Sequence, residues 1–322
     1  MYSLNMMRIA LELAARNPAY QDIASKFFQH FLYISEAMHD FGNSRSSLWD
    51  ENDNFYYDVL DPPNSAPVPF KIRSVVGLVS LFAADTIDHD LLQRLPQFQR
   101  QVDEFVSHRP DLAHEYCHHA DRGNDKRHLF ALLSGARLKT VLKRVFDEEE
   151  FLSPYGIRAL SKDHLQNPFC LENDKASICI EYQPGESTLE HFGGNSNWRG
   201  PVWMPVNYLL IESLRTYHQF YGEEFRVEFP TGSGRFETLN GIAGELSLRL
   251  CKTFLRNDRG QRPAFGDNPK LQDDPNFRDH LLFHEYFHGD TGRGCGASHQ
   301  TGWTGLVANL IHECAVNGAP FA

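Results

Sequence analysis

The chain has 322 residues, 41% of them apolar and 23% charged, which is ordinary for a globular protein long enough to bury a large core. Its net charge of −11 and the lack of a clustered Lys and Arg run argue against nucleic acid and anionic membranes as partners. Charged residues interrupt the first apolar run, so it does not have the pattern expected of a secretory leader. The six cysteines are scattered without a CxxC pair, which predicts reduced thiols and a cytoplasmic location.

Helical spacing of apolar residues begins at the start of the chain. Tyr2, Met6, Ile9 and Leu13 predict a first helix with this stripe as its apolar face, and Asn17-Pro18 ends it. A second helix is predicted to follow, with its apolar stripe formed by Ile23, Phe27, Phe31, Ile34 and Met38. Two such neighbours form an αα-hairpin. The next segment, "SLWDENDNFYYDVL", alternates aromatic residues around an Asp-Asn turn and predicts a β-hairpin.

The rest of the chain is predicted to be mostly helical, with long loops. Helical spacing recurs in "IRSVVGLVSLFAADTI", "DLLQRLPQFQRQVDEFVSHRP" and "ALLSGARLKTVLKRVFDEEEF", and again after Val206, after Leu239 and in "GWTGLVANLIHECAVNG". The polar stretch 109–127 is predicted to be a loop, and 152–201 a long irregular segment with one strand-like run. Long loops in compact domains are more often functional than idle. The pattern predicts eight or nine helices and little strand.

The zinc-peptidase motif His-Glu-x-x-His occurs twice, as "HEYCH" from His114 and as "HEYFH" from His284. The motif works only on a helix, where its two His lie one turn apart. Glycines follow His288 at once, so a helix can hardly continue there, and the first copy lacks an apolar helical face. A zinc metallopeptidase is therefore an alternative that rests on these two strings alone.

A more informative stretch is "GGNSNWRGPVWMPVNYLLIESL", in which a Gly-rich loop leads into a helix. Indole faces stack on sugar rings, and Arg and Asn donors meet hydroxyl groups. The Trp side chains could equally fill the core, but so many such residues beside a loop favour a pocket. The residues concerned are Trp198, Arg199, Trp203, Asn207 and Tyr208.

Two long motifs, "NSNWRGPVWMPVNYLLIESL" and "FHEYFHGDTGRGCGASHQTGWTGLVANLI", resemble the C-terminal catalytic domain of glycoside hydrolase family 63 and its bacterial relatives, which include α-glucosidases and mannosylglycerate hydrolases. The shorter segments "LWDENDNFYYDVL", "KIRSVVGL" and "EEEFLSPYGIRALS" also resemble segments of the large bacterial members. The resemblance therefore touches nearly the whole chain.

The resemblance implies an all-α (α/α)6 barrel over residues 1–322, with a small β-hairpin insertion, and inverting hydrolysis of an α-linked sugar without a cofactor or metal. Inversion needs one carboxylic acid to protonate the leaving oxygen and a second carboxylate to activate water. Glu285 matches the base position. The implied substrate-binding residues are Trp198, Arg199, Gly200, Trp203, Asn207, Tyr208 and Trp303, with Trp49, Phe55, Tyr56 and Arg73 as further contributors and Asp290 orienting its loop.

The chain departs from the family at the general acid, an Asp that precedes the residues matched by the start of this sequence. The apolar stripe begins at Tyr2 without a capping residue, which is consistent with an N-terminally truncated barrel. An inactive or purely carbohydrate-binding remnant is the resulting alternative. The carboxylates that could replace the acid are Asp50, Asp53, Asp58, Glu186 and Asp290, and the sequence prefers none of them. "DENDN" could also form a calcium loop, although a hairpin turn fits it better.

Overall fold

The computed structural model describes residues 1–39, 47–61, 66–122, 125–173, 176–188 and 196–316. These residues form two compact units. The first unit comprises Met1–Phe70, Val76–Val141 and Ser213–Phe225, and the second comprises Lys71–Val75, Leu142–Glu212 and Arg226–Ala322, apart from the residues outside the description. The closed (α/α)6 barrel and the single-domain organisation stay predictions.

Helices make up most of the regular structure, as the sequence predicts. Among the described residues, no helix is both long enough and apolar enough to cross a bilayer. In chain order the helices are α1 (Tyr2–Ala14), α2 (Tyr20–His39), α3 (Val75–Leu78), α4 (His89–Gln93), α5 (Pro96–His108), α6 (Pro110–Tyr116), α7 (Gly135–Val145), α8 (Met204–Tyr221), α9 (Leu239–Lys252), α10 (Pro269–Asp273), α11 (Thr301–Thr304) and α12 (Val307–Val316).

The strands are short and antiparallel, and they are more numerous than the predicted all-α class with one hairpin allows. Most are too short to show the alternation that marks a strand in sequence. They are β1 (Trp49–Asp50), β2 (Phe55–Tyr56), β3 (Asp58–Leu60), β4 (Val68–Phe70), β5 (Ala84–Asp88), β6 (Cys117–Arg122), β7 (Asp125–Ala131), β8 (Leu152–Ser153), β9 (Gly156–Ile157), β10 (Phe169–Asn173), β11 (Ala176–Ile180), β12 (Arg226–Glu228), β13 (Phe236–Thr238), β14 (Tyr286–Phe287) and β15 (Gly294–Cys295).

The hairpin predicted for "SLWDENDNFYYDVL" is confirmed. Trp49 pairs with Tyr56 and Asp50 with Phe55, and the turn between them contains Asn54 at φ 52°. Asn tolerates this left-handed conformation better than most residues. The Asp50 carboxylate accepts the backbone N–H groups of the next turn residues at 2.9 Å, so this oxygen closes the turn.

The helical hairpin α1–α2 is confirmed as two packed helices, but the predicted buried face is wrong. The core side of α1 is lined by Leu4, Met7 and Leu11, each at most 1% exposed. On the predicted stripe, Tyr2 is 73% exposed and Ile9 is 51% exposed. Both faces of α1 are apolar, so the 3.6-residue period is satisfied twice and cannot choose between them.

The predicted loop at 109–127 is also wrong. This stretch forms α6 and then β6, which joins β7 and β5 in a three-stranded antiparallel sheet of order β5-β7-β6. The inner residues Leu129 and Phe130 of β7 are buried. The sequence does not predict β6 because the strand is polar and contains Asp, which is uncommon in sheets.

The core of the second unit includes a cluster formed by Val75, Ala159, Trp203, Tyr286 and Cys295. Helices α9 and α12 pack against each other in the same unit. Within the long segment predicted to be irregular, the pairs β8–β9 and β10–β11 are ordered hairpins. Tyr286 of this cluster directly follows Glu285, so the cluster anchors the backbone next to the predicted base.

Cys170 and Cys179 form a disulfide across the β10–β11 hairpin, which corrects the prediction that all six cysteines are reduced thiols. The hairpin register places the two residues opposite each other, with a Cα–Cα distance of 4.1 Å. Sequence spacing alone did not reveal this register.

Cys295 is a free and buried cysteine, and burial raises the pKa of its thiol to about 11. The cytoplasmic location stays a prediction.

Candidate functional site

Backbone pairing brings the two long sequence motifs together in the second unit. The N–H of Val202 donates to the carbonyl of Phe287 at 2.8 Å, and the Phe287 N–H donates back at 3.0 Å. Gly200 and Gly289 permit this approach, since a Cβ on Gly289 would lie 2.5 Å from the Gly200 carbonyl oxygen. The Trp-Arg-Gly-Pro segment therefore lies directly against the Glu-Tyr-Phe segment.

Glu285 is half-buried, and its carboxylate is fixed by two donors. The Ser196 hydroxyl donates to Oε1 at 2.9 Å, and the Ala297 backbone N–H donates to Oε2 at 3.2 Å. The Glu285 N–H also donates to the Ala297 carbonyl at 2.9 Å. Gly296 makes room for the carboxylate, because a Cβ there would lie 2.7 Å from Glu285 Oε2. A carboxylate held in this way can accept a proton from a water molecule in a defined direction.

Three aromatic rings form a stack that includes Tyr286, the residue after Glu285. Trp198 lies parallel to Trp203 at a centroid distance of 4.0 Å, and Trp203 stacks on Tyr286 at 4.7 Å. Trp203 is buried, and its indole N–H donates to the Asn197 carbonyl at 2.9 Å. Trp198 is only half-buried. Trp303, which is 38% exposed, is tilted against Trp203 at 5.5 Å.

Arg199 and Asn207 are buried and use their polar groups inside the protein. Asn207 accepts the Ile157 N–H at 2.7 Å and donates to the carbonyls of Ile157 and Trp203. It thereby fixes the start of α8 against β9. Arg199 is 0% exposed and donates to Ser187 Oγ at 3.2 Å. Burial lowers the pKa of the Arg199 guanidinium.

The other predicted residues of this unit also have defined contacts. Asp290 accepts from the buried Arg158 guanidinium at 2.9 Å and from the Tyr182 hydroxyl at 2.9 Å. Arg73 donates to Asp163 at 3.1 Å and to Glu150 at 3.4 Å. The roles of these residues toward a sugar stay predictions. Tyr208, on α8, accepts a hydrogen bond from Asn309 of α12 at 2.9 Å.

Glu186 stands out among the carboxylates that the sequence could not rank. Its carboxylate accepts the Tyr286 hydroxyl at 3.1 Å and the Gly296 N–H at 3.1 and 3.3 Å. Burial and the neighbouring Glu186 carboxylate raise the pKa of Tyr286. Ser196 and Asn197 also hold parts of the site and are not predicted from the sequence, although both lie in the Gly-rich loop.

The predicted contributors Trp49, Phe55 and Tyr56 belong to the first unit and are buried there. The Trp49 and Tyr56 rings meet edge to face at 5.0 Å, and the Arg137 guanidinium lies 5.1 Å from the Trp49 ring centroid. The Tyr56 hydroxyl and Arg137 Nη1 lie 2.9 and 2.7 Å from His39 Nε2.

Neither His-Glu-x-x-His copy forms the helix that the zinc motif requires. In the first copy, α6 ends at Tyr116 and His118 lies on β6. In the second, β14 separates His284 from His288. Within the described part of the chain, no group of three or more His, Cys, Asp or Glu side chains is arranged to hold a metal ion.

A cavity of about 680 Å³ in the first unit includes His114 and His118 in its lining. Most of its other walls are apolar, and it contains none of the residues predicted to bind a sugar. The candidate site is therefore assigned by the chemistry of its side chains and not by the size of a cavity.

Residues 129–229 match the family model of the glycosyl hydrolase family 63 C-terminal domain. This part of the chain is similar to that domain, and the resemblance predicted from the sequence is confirmed. The matched range contains Glu186, Trp198 and Trp203, whereas Glu285 follows it.

Curated proteins of two yeasts are similar to the chain. An uncharacterized protein of Saccharomyces cerevisiae is 43% identical over 98% of the chain, and the chain spans 30% of that protein's length. A probable mannosyl-oligosaccharide glucosidase of Schizosaccharomyces pombe is 27% identical over 55% of the chain. The mannosyl-oligosaccharide glucosidase of S. cerevisiae is 25% identical over 54% of the chain, and the chain spans 15% of each glucosidase.

Proposed function

We propose that the second unit carries the sugar-hydrolysing site of a family 63 glycoside hydrolase, with Glu285 as the general base. The observation that carries the proposal is the placement of the Glu285 carboxylate. Ser196 and Ala297 hold it, and the next residue, Tyr286, belongs to a stacked aromatic platform with Trp203 and Trp198. Carboxylates and aromatic faces are the groups that glycoside hydrolysis uses.

In the proposed reaction, the sugar stacks on the open face of Trp198, and a water molecule lies against Glu285. The two donors to Glu285 fix the orientation of its carboxylate. A carboxylate oxygen can then accept a proton from the water as the water attacks the anomeric carbon. Attack from the face opposite the leaving group inverts the anomeric configuration. The proton for the leaving oxygen comes from a second carboxylic acid, which the resemblance places in a segment preceding the residues matched by the start of this sequence.

The proposed substrate is an oligosaccharide with a terminal α-linked sugar. An α-glucosidic linkage on a mannosyl-oligosaccharide is preferred, because two of the similar proteins carry that activity in their names. An α-mannosidic linkage is the second choice. The net charge of −11 suits neutral sugars better than anionic ones.

Substitution Glu285→Gln tests the proposal, because it keeps the shape and removes the basic oxygen. Hydrolysis of an α-glucosyl oligosaccharide should fall about 10²- to 10⁴-fold, while sugar binding, followed by tryptophan fluorescence, stays within about threefold. Proton NMR of the first product formed should show a β-anomer. Glu149→Gln, at an exposed carboxylate paired with Lys162, is the matched control.

Two results would count against the proposal. Turnover near the wild-type rate in Glu285→Gln would remove Glu285 from the role of base. Sugar binding by the wild-type protein without hydrolysis of any α-glycoside would instead favour a carbohydrate-binding function for the same platform.

A further inference from the structure

Glu186 and Glu285 are bound by consecutive backbone amides. The Gly296 N–H donates to Glu186, and the next N–H, that of Ala297, donates to Glu285. Tyr286 follows Glu285 in sequence, and its hydroxyl group also donates to Glu186 at 3.1 Å. Glu186, from a separate segment, and Glu285, at the start of the β14–β15 hairpin, therefore both accept from the residues that follow β15.

The segment that carries Glu186 is itself fixed by its neighbours. The fully buried Asn197 donates from Nδ2 to the carbonyls of Gln183 and Gly185, both at 2.7 Å. The Gly289 N–H donates to the Pro184 carbonyl at 2.9 Å. Glu186 therefore starts from a backbone that is anchored on both sides, although its own side chain is exposed.

The glycine between the two carboxylates leaves little freedom for the turn. Gly296 has φ +67°, and a Cβ there would lie 2.5 Å from the Tyr286 ring and 2.7 Å from Glu285 Oε2. A movement of the Gly296 amide therefore moves the Ala297 amide and, with it, the second donor on Glu285. A change in the contact between Glu186 and Gly296 is therefore expected to shift the Ala297 amide, which donates to Glu285 and belongs to the next residue.

We propose that Glu186 is a positioning residue for Glu285. It holds the Gly296 amide and the Tyr286 hydroxyl, so that the Ala297 amide and the aromatic platform stay in register with the general base. This inference rests on the proposed function for its effect on turnover, but the positioning itself can be measured without any substrate.

Both carboxylate oxygens of Glu186 act as hydrogen-bond acceptors. The Gly296 N–H donates to Oε1 at 3.1 Å and to Oε2 at 3.3 Å, and the Tyr286 hydroxyl donates to Oε2 at 3.1 Å. These contacts tie Glu186 to the residues around Glu285, so its proposed effect on catalysis passes through Glu285.

Amide hydrogen exchange in the full chain, read by NMR at Gly296 and Ala297, tests the positioning directly. In Glu186→Gln, exchange at both amides should be about tenfold to a hundredfold faster than in the wild-type protein, because a charge-assisted acceptor is lost at Gly296 and the turn loosens. Glu186→Asp should restore part of the protection. The Glu149→Gln control should leave both amides unchanged, and unchanged exchange in Glu186→Gln would overturn the inference.

Kinetics on an α-glucoside give the second readout. Glu186→Gln should lower kcat about 10- to 100-fold with KM within about threefold, because sugar binding is kept and the base is misplaced. Combining it with Tyr286→Phe should cost less than the two separate losses, since both variants release the same contact. Additive losses, or a rise in KM with kcat unchanged, would refute a positioning role. A wild-type protein without hydrolysis would refute the proposed function, while the exchange result would still decide the role of Glu186.

Discussion

The two units each contain a tryptophan cluster, and the two clusters are built differently. In the first unit, Trp49 is 5% exposed, meets Tyr56 edge to face, and is covered by the Arg137 guanidinium. In the second unit, Trp198 lies flat on Trp203 and keeps one part of its surface open. An edge-to-face contact fills space in a core, whereas a flat stack with a free face can receive a sugar ring.

The difference shows that aromatic residues near a motif do not all have the same role. The sequence assigns both clusters to the sugar site, but Trp49 and Tyr56 of the first cluster are buried, whereas Trp198 of the second is only half-buried. We therefore expect Trp49 to act mainly on stability and Trp198 mainly on binding. The predictions that follow test this division, beginning with the largest effect.

Removal of the buried ring in the first cluster should cost the most. Trp49→Ala should lower the free energy of unfolding by about 3–5 kcal/mol, because it leaves a cavity among Tyr56 and Arg137. Urea denaturation followed by circular dichroism measures the loss. Trp303→Ala, at a residue that is 38% exposed, is the control and should cost much less. A stable Trp49→Ala protein that no longer binds sugar would reverse the assignment of the two clusters.

Removal of the open ring in the second cluster should act on the ligand. Trp198→Ala should weaken binding of an α-glucosyl oligosaccharide about 10- to 100-fold, which corresponds to about 1.4–2.8 kcal/mol. Trp198→Phe should recover part of the affinity, since it restores a flat apolar face. Isothermal titration calorimetry measures both variants. Equal affinity in the wild-type and Ala proteins would show that the sugar does not stack on Trp198.

Two glycines with positive φ allow backbone strain near Glu285 to be compared with the same strain at a position away from it. Gly296 and Gly234 have φ values of +67° and +74°, so alanine should cost about 1–2 kcal/mol of stability at either position. A Cβ on Gly234 meets nothing within 4 Å, whereas on Gly296 it meets Glu285 and Tyr286. Gly296→Ala should therefore lose turnover as well, and Gly234→Ala should keep it. Thermal melts and initial rates of both variants provide the comparison.

The histidine of the first cluster predicts a small effect of pH. Burial lowers the pKa of His39, with Arg137 acting in the same direction. The unfolded chain therefore binds this proton more readily, and stability falls as the pH drops below about 6.5, the ordinary value. Between pH 8 and pH 5.5 the free energy of unfolding should fall more in the wild-type protein than in His39→Gln. Equal losses in urea titrations would show that His39 is not the responsible group.

Much of the helical fold could be predicted, but its buried faces could not. The period of Tyr2, Ile9 and Leu13 correctly predicts α1, yet these residues are exposed because the opposite face is apolar as well. Only packing against α2 decides between the two faces. Similarly, the disulfide between Cys170 and Cys179 depends on a hairpin register that no local pattern encodes.

The candidate site could be predicted in part. The long motifs pointed to Glu285, Trp198 and Trp203, which the structure places in one region of the second unit. Glu186 could not be chosen, because its partner Gly296 is 110 residues away in sequence and the bond between them is made by a backbone amide. A backbone amide donor is present at every residue except proline, so the amino-acid type at position 296 does not predict this contact.

The pairing of Val202 with Phe287 also has a consequence for the order of folding. The Ser196–Glu285 contact spans 89 residues, so closing this loop has an entropic cost that local helix formation does not have. We expect α8 and α9 to form early and the pairing of the two motifs to form late. Under mild denaturation we expect the opposite order: the contact between Ser196 and Glu285 should be lost while most of the circular dichroism signal of the helices remains.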